Sequence, residues 1–332
     1  MIQSKLFVHL PDYINTPDGM AIDRDGHLIL SCPNYADTST SGCVVRIDKE
    51  TRAVTKWFDT PVSPETGCAR NMGIALRYRE NGWCDIFLCD NQGWSGAEEL
   101  LYKGRMLRVT MDGEKMVEWK TIAKNMEHPN GVRVWRDQLY VTQSQMTPVN
   151  DPSGKLVSCV YRFDLDDEDI DITNTLADKN LLVTYLTHNP DCQYGADGIV
   201  FDSEGAMYVG NFGDGEVYKT TFHADGTVKE HYAWAKDSAQ LQSTDGMDFD
   251  NKGNLYIADF SANAIARITP DGKVERLAQS PDKSGYVGGL EQPGEPIFYQ
   301  GGIVASCFDL VTGPDKINTG HEMPATLAWL DL

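Results

Sequence analysis

Three aspartates and one asparagine, each followed directly by glycine, open similar stretches of this sequence. They are Asp18, Asn130, Asp197 and Asp245. Three of the stretches are nearly the same phrase: PDGMAIDRDGHLILSCP at 17–33, ADGIVFDSEGAMYVGNF at 196–212 and TDGMDFDNKGNLYIADF at 244–260. Carboxylate and amide oxygens are the ligands that hard divalent cations prefer. If the fold brings these four side chains together, they would bind a cation, with Ca²⁺ the natural occupant and Mg²⁺, Mn²⁺ or Zn²⁺ the alternatives.

Asp-Gly and Asn-Gly are also common turn dipeptides, so any single copy could simply mark a tight turn. The recurrence of an acid or amide at one phase in four copies favours the metal interpretation. Three carboxylates gathered without a cation would repel one another and raise their own pKa values, and a metal would relieve that repulsion. By contrast, Asp23, Asp202 and Asp250 end the first strand of each phrase at its turn. We expect these three to cap hairpins and not to bind metal.

The elements that must position these residues are short antiparallel strands. Each phrase alternates apolar and other residues on both sides of a turn, which is typical of a hairpin. A second hairpin follows each phrase: GCVVRIDKETRAVTKWF at 42–58, GEVYKTTFHADGTVKEHY at 215–232 and NAIARITPDGKVERLA at 263–278. More divergent copies begin at 70, 129 and 295, and in the copy at 129 the segment SCVYRFDLDDEDIDI supplies the second hairpin. Each full unit therefore has four strands.

Six phase markers stand at Asp18, Asn71, Asn130, Asp197, Asp245 and Glu295. The steps between them are 53, 59, 67, 48 and 50 residues, which is the size of a four-stranded propeller blade. No stretch carries a sustained helical period with caps. The sequence therefore predicts an all-β fold, a six-bladed β-propeller, as a single domain over residues 1–332.

The two ends of the chain complete each other. The C-terminal ATLAWLDL reads as a third strand without its fourth, and the N-terminal SKLFVHLPDY matches the fourth-strand segments of the other units. We expect the N-terminal strand to complete the last blade and close the ring, which protects the sheet edges. The first strand of each propeller blade lines the central channel. The residues just before four of these strands, Asp18, Asn130, Asp197 and Asp245, should therefore converge at the channel mouth.

Composition excludes some classes of partner. The chain carries 29 basic and 49 acidic residues, a net charge of −20 without a basic stripe, which argues against nucleic acid or an anionic membrane and favours metal cations and small neutral or cationic ligands. No apolar run of membrane-spanning length occurs, and the first 20 residues show neither a long apolar h-region nor a small-residue cleavage site, so we expect a soluble, unexported protein. The eight cysteines form no C-x-x-C pair, so we expect mostly reduced core thiols and a cytoplasmic protein.

Three segments carry a resemblance to a known superfamily: HPNGVRV at 128–134, ADGIVFDSEGAMYVGNFGDGEVYK at 196–219 and STDGMDFDNKGNLYIADF at 243–260. With the blade count, they make the whole chain resemble the gluconolactonase, regucalcin and luciferin-regenerating-enzyme superfamily, whose relatives include diisopropylfluorophosphatase. That resemblance implies a divalent cation in the channel, held by an acid in blade one, amides in blades three and four, and an aspartate in blade five. By blade order these are Asp18, Asn130, Asp197 and Asp245. It also implies hydrolysis of a sugar lactone or similar cyclic ester.

Two ligands depart from the family pattern, because Asp18 stands where glutamate is usual and Asp197 where asparagine is usual. The identity of the metal therefore stays open. A second register is also possible, since PNGV and ADGIVFD resemble the consecutive fourth- and fifth-blade motifs of the family, which would make Asn71 the third-blade ligand. The count of six repeats favours Asn130.

For the chemistry we expect Asp245 to act as general base, because the matching family position is both ligand and proposed base, with Asp197 as the runner-up. His128 lies where lactonases that act on sugar acids tend to carry an arginine, and it could face the substrate or activate water. His321 is a second histidine candidate. The connections at 90–104 and 145–154 are candidate lids over the channel.

Two other functions stay open at this point. One is a strictosidine-synthase-like enzyme that condenses an amine and an aldehyde without metal, with Glu295 or Glu291 as its base. The other is a propeller that binds a ligand or a partner and keeps the cation for structure alone. We find no motif of another catalytic class, such as G-x-S-x-G or H-E-x-x-H.

Overall fold

A computed structural model describes residues 1–312 and 317–332 of the chain. Within these ranges it contains 25 β-strands, four short 3-10 helices and no α-helix. The strands form six four-stranded antiparallel sheets, one of which gains a short fifth strand. This arrangement confirms the all-β, six-bladed β-propeller. No helix of the described ranges is long and apolar enough to cross a membrane.

The strands follow one another blade by blade after β1 (Lys5–His9). Blade one consists of β2 (Met20–Ile22), β3 (Leu28–Cys32), β4 (Cys43–Ile47) and β5 (Val54–Asp59). Blade two consists of β6 (Asn71–Tyr78), β7 (Cys84–Asp90), β8 (Gly104–Asp112) and β9 (Lys115–Met126). Blade three consists of β10 (Pro129–Trp135), β11 (Gln138–Gln143) and β12 (Leu156–Asp164), then, after the short β13 (Ile170–Asp171), of β14 (Leu181–Thr187).

The second half of the ring follows the same order. Blade four consists of β15 (Ala196–Phe201), β16 (Met207–Asn211), β17 (Glu216–Phe222) and β18 (Val228–Lys236). Blade five consists of β19 (Met247–Phe249), β20 (Leu255–Asp259), β21 (Ala264–Ile268) and β22 (Val274–Gln279). Blade six consists of β23 (Pro293–Tyr299), β24 (Gly302–Cys307), β25 (Thr326–Asp331) and β1. The 3-10 helices are Glu98–Leu100, Phe212–Asp214, Phe260–Ala262 and Gly285–Val287.

The N-terminal strand closes the ring, as the sequence predicts. β1 pairs antiparallel with β25, with Lys5 opposite Trp329 and His9 opposite Thr326. Each inner strand contacts the inner strand of the next blade, and β23 contacts β2 to complete the circle. The apolar core lies between neighbouring sheets; for example, side chains of β3 and β4 pack against those of β7. Six of the eight cysteines are buried.

The predicted hairpin caps are confirmed. One carboxylate oxygen of Asp23, Asp202 or Asp250 accepts two backbone N–H bonds, from residues two and four positions further along, at 2.8–3.0 Å. A carboxylate that accepts two such bonds is already satisfied. These three aspartates therefore hold turns and take no part in a metal site.

Blade three differs from the sequence prediction in its outer strand. The segment around β13 does not form the fourth strand of blade three but crosses to blade two, where β13 pairs in parallel with β9. The acidic residues of this segment form ion pairs with blade two. For example, the buried side chain of Arg108 contacts Asp166 at 3.4 Å and Glu168 at 3.1 Å. The true fourth strand is β14, which pairs with β12.

Candidate functional site

The entrance of each inner strand carries the residues that face the channel. In blades two, three, four and six, two residues of the inner strand lie opposite a single residue of the second strand, which is a β-bulge. Bulges re-aim side chains and are common beside functional sites. In blades one and five the corresponding Asp-Gly pair lies directly before the first paired residue of the inner strand. The equivalent positions around the ring are Asp18, Met72, Asn130, Asp197, Asp245 and Gly294.

This register corrects two of the phase markers. In blade two the channel position belongs to Met72 and not to Asn71, and in blade six it belongs to Gly294 and not to Glu295. The amide of Asn71 is fully engaged: its oxygen accepts from Thr60, and its nitrogen donates to Ser31 and to the carbonyl of Cys43. Asn71 therefore ties blades one and two together and is not free to bind a metal.

The glycine after each channel residue has a packing role. None of Gly19, Gly131, Gly198 and Gly246 has a positive φ, and none of the four dipeptides lies in a turn of the structure, so they do not mark tight turns. Instead, a Cβ at each position would collide with the next blade; at Gly19 it would lie 2.7 Å from the carbonyl oxygen of Met72. Only glycine lets the inner strands approach so closely around the axis.

Five of the six ring residues line one small cavity of about 20 Å³ on the propeller axis, and we call the four polar ones the channel set. They are Asp18, Asn130, Asp197 and Asp245, with exposures of 4%, 7%, 4% and 8%. The structure thus brings all four predicted metal-ligand candidates together. Asn130, Asp197 and Asp245 also line a larger chamber above, whereas Asp18 faces the small cavity alone.

Burial and like charge raise the pKa of each carboxyl in the channel set. Burial, followed by the charge of Glu295, raises the pKa of Asp18 to about 8. Burial raises the pKa values of Asp197 and Asp245 well above 3.8, and the other aspartates of the set add to the effect. Three such carboxyls cannot all ionise without a compensating cation.

The donor set fits a hard cation in its chemistry. The side chains of Asn130 and Asp197 have no hydrogen-bond partner among the described residues, and those of Asp18 and Asp245 have only the N–H of the glycine that follows each. The missing side chain at Gly294 makes room for Asp18, since a Cβ there would lie 2.6 Å from its Oδ1. Within residues 1–312 and 317–332, however, no three His, Cys, Asp or Glu side chains are arranged to hold a metal ion. The donors are therefore gathered but do not form a closed coordination shell.

An arginine–glutamate pair lies beneath the channel set. Arg133 donates through Nη2 to Glu295 and to the carbonyl of Met247 at 3.3 Å, and the N–H of Met20 donates to Glu295 at 2.8 Å. Because Glu295 is bound by both donors, it is not free to act as a base. Glu291 accepts from the N–H of Ser284 and lines neither cavity. Both candidates for the single base of a metal-free condensing enzyme are thus held in structural hydrogen bonds.

The chamber above the channel set has a volume of about 420 Å³. His128 forms part of its wall, with 3% exposure and no hydrogen bond on its ring within the described chain, and burial lowers its pKa to about 4. His128 is therefore neutral at pH 7. His321 lies elsewhere, with Nδ1 2.6 Å from the carbonyl oxygen of Asp309, and does not line the chamber.

Five aromatic side chains, which we call the aromatic collar, complete the chamber wall: Trp94, Tyr194, Phe212, Phe260 and Phe308. Each ring contacts the next in a chain. The distances between ring centroids are 5.5 Å for Trp94–Phe308, 5.6 Å for Phe308–Phe260, 5.7 Å for Phe260–Phe212 and 6.2 Å for Phe212–Tyr194.

The sequence prediction missed the collar. A signal was available, because YVGNF, YIADF and VASCF each place a phenylalanine directly after the second strand of blades four, five and six. Of the two candidate lids, the connection at 90–104 reaches the chamber through Trp94 and Ser95, whereas no residue of 145–154 lines it. Residues 191–194 line it instead.

Fold and site together define a six-bladed β-propeller with an acidic channel set beneath an aromatic chamber. No protein-family model and no curated protein matches the sequence. Among solved structures, luciferin-regenerating enzyme is similar over 99% of this chain and 94% of its own, with a TM-score of 0.64 and 12% identity. Regucalcin from Agrobacterium tumefaciens, a calcium-binding protein, is similar over 99% and 93%, with a TM-score of 0.60 and 11% identity.

A gluconolactonase from Xanthomonas campestris is similar over 98% of this chain and 94% of its own, with a TM-score of 0.57 and 15% identity. These three neighbours are members of the superfamily that the sequence resembles. At such identities, the likeness shows the fold that they share with this chain.

Proposed function

We propose that the protein is a metal-dependent hydrolase that opens a lactone or similar cyclic ester. The observation that carries the proposal is the channel set, three buried carboxylates and an amide that face one cavity at the floor of a chamber of ligand size. The likeness to gluconolactonase and regucalcin supports the same class. A divalent cation held by the channel set, with Ca²⁺ the first choice, would supply Lewis-acid polarisation of a carbonyl.

The residues of the floor divide into two roles. Asp18 faces only the lower cavity, so its role is to hold the cation. Asp245 and Asp197 face both the cavity and the chamber, where a carboxylate can take a proton from an attacking water; we assign general-base catalysis to Asp245 first and to Asp197 second. To His128, which is neutral and has no partner on its ring among the described residues, we assign a hydrogen bond to the substrate or the water. We also propose a cytoplasmic location for the protein, because the six cysteines that the structure describes as buried form no disulfide.

Metal analysis with an acid-release assay tests the proposal. Purified protein would be offered D-glucono-δ-lactone and simple γ- and δ-lactones, with and without EDTA. We expect about one divalent ion per chain and acid release that EDTA abolishes and added metal restores. Asp245→Asn should lower kcat/KM by about 100-fold or more.

The matched control is Asp112→Asn, which removes the same charge from an exposed position of blade two and should leave activity unchanged. A protein that binds metal and opens none of the lactones would instead be a binding propeller. Acid release that persists in EDTA would contradict the role of the cation.

A further inference from the structure

The aromatic collar has a more specific shape than a general hydrophobic lining. Phe212, Phe260 and Phe308 occupy the same place in three successive blades, directly after the second strand. Trp94 from blade two meets Phe308, and Tyr194 meets Phe212, so rings supplied by several blades form a continuous wall. Behind this wall Tyr35 stacks on Trp94 at 4.7 Å and donates its hydroxyl to the carbonyl of Asn91. The collar is therefore supported from outside and offers planar apolar surface to the chamber.

Most polar side chains that line the chamber are either exposed or deeply buried, whereas Ser261, half-buried beside Phe260, lies between these extremes. At the mouth, Ser95, Asp191, Gln193 and Thr312 are exposed to solvent. At the floor, His128 and the channel set are buried. The three phenylalanine rings offer no hydrogen-bond partner, so a substrate hydroxyl held against them would lose its water at a cost in free energy. An apolar or aryl group in the same place would stack on the rings.

The charge of the lining restricts the ligand further. No lysine or arginine lines the chamber among the described residues, whereas Asp191, Asp197 and Asp245 do. A carboxylate or phosphate on the part of the substrate remote from the channel set would have no lysine or arginine to pair with in this wall and would meet the charge of Asp191, in a chain of net charge −20. A neutral substrate avoids both costs.

We propose that the chamber selects a neutral lactone or ester that carries an aryl group, with the aryl group between the rings of the collar and the carbonyl directed to the channel set. This inference rests on the proposed function for its reacting group. The aryl selectivity depends on the collar alone, so the proposed hydrolysis and the proposed aryl selectivity can be disproved separately.

Three lactones test the inference in turnover: γ-phenyl-γ-butyrolactone, γ-butyrolactone and D-glucono-δ-lactone. We expect kcat/KM for the phenyl lactone to exceed both others by at least about tenfold, the effect of one well-stacked ring. A para-carboxylate on the phenyl ring should remove that advantage. Phe260→Leu keeps the site apolar but removes a ring, and it should lower the ratio of phenyl to unsubstituted lactone by about tenfold, mainly through KM.

Binding is measured separately from turnover. In EDTA, γ-phenyl-γ-butyrolactone should change the tryptophan emission of the wild-type protein, and Trp94→Phe should lose that change. If no lactone is hydrolysed with any metal but this Trp94-dependent signal is present, the proposed hydrolysis fails and the collar assignment stands. If D-glucono-δ-lactone or γ-butyrolactone is turned over as efficiently as the phenyl lactone, or if the signal is absent, the inference is overturned.

Discussion

At the scale of single residues, the channel set combines burial with like charge. The carboxyls of Asp18, Asp197 and Asp245 have almost no protein donors, and their pKa values are raised. A neutral amide, Asn130, completes the set without adding charge. Such an arrangement costs stability in the metal-free protein. We interpret the cost as that of a site kept ready for a cation.

The pH dependence of stability follows from the raised pKa of Asp18. Between its ordinary value of 3.8 and about 8, Asp18 keeps a proton in the folded protein and releases it in the unfolded one. The folded state then binds more protons, so the free energy of unfolding of the metal-free protein should fall as the pH rises from about 4 to 8. Ca²⁺ should stabilise the protein more at pH 8 than at pH 5, because the carboxylates must be ionised to bind it.

Asp18→Asn isolates this contribution. The variant should raise the free energy of unfolding of the metal-free protein at pH 8 by about 1 to 3 kcal/mol and flatten its pH dependence. It should also weaken the stabilisation by Ca²⁺. Urea unfolding at pH 5 and pH 8, with EDTA or with Ca²⁺, measures both effects. A metal-free variant less stable than the wild type at pH 8 would mean that repulsion at Asp18 does not govern stability.

Among the strands, the inner strand of each blade packs closely against the inner strand of the next blade. A β-bulge at the strand entrance turns the channel residue toward the axis, and the glycine after it lets the next blade approach. Hydroxyl groups on the second strands link neighbouring blades at the same level: Ser31 donates to the carbonyl of Asn71, and Thr142 donates to that of Asp197. The backbone of Asp197 is therefore held in place by the blade that precedes it.

Gly19→Ala tests this close approach. The new methyl group would lie 2.7 Å from the carbonyl oxygen of Met72 and 2.9 Å from the Cα of Gly73, both backbone atoms that cannot move alone. We expect a loss of about 3 kcal/mol in the free energy of unfolding. Gly96→Ala serves as the control, since its Cβ would meet no atom within 4 Å and only its φ of +73° is strained, a cost of about 1 kcal/mol. Equal losses in the two variants would contradict the packing role of Gly19.

At the scale of the whole molecule, the propeller is a ring that one short strand closes. β1 supplies the outer edge of blade six, and its Phe7 packs against Tyr299 and Trp329 at ring distances of 6.1 Å. Phe7 also joins the apolar core between blades six and one. The Arg133–Glu295 pair links blade three to blade six across the axis. Loss of the closing strand should therefore weaken the entire ring.

Two substitutions on β1 measure that contribution. Phe7→Ala should lower the free energy of unfolding by about 3 to 5 kcal/mol, the usual effect of removing a buried aromatic ring. Lys5→Ala on the same strand breaks only the exposed ion pair with Asp331 and should cost less than about 1 kcal/mol. Urea titration followed by tryptophan fluorescence compares them. If the two losses are alike, β1 does not act as the closing strand in solution.

The sequence alone predicts the six blades, the closing strand, the hairpin caps, the four residues of the channel set and the strands of every blade except the outer strand of blade three. These follow from local signals, because alternation, turns and a repeated phrase can be read without knowing what lies across the axis. It also allowed the phenylalanines of the collar to be found, although only a comparison of equivalent positions in blades four to six makes them visible.

The partners of several polar side chains could not be predicted, because they come from other blades. The sequence marks blade two at Asn71, and only the β-bulge of this blade and the bonds of Asn71 to blade one show that Met72 holds the channel position. Glu295 is occupied by Arg133, which lies 162 residues away in the chain. The segment at β13 leaves its own blade to pair with β9. Contacts of this kind form only when the ring is closed. Burial and geometry in the ring, and not the local sequence pattern, then determine which polar groups have no hydrogen-bond partner in the protein and can bind a ligand.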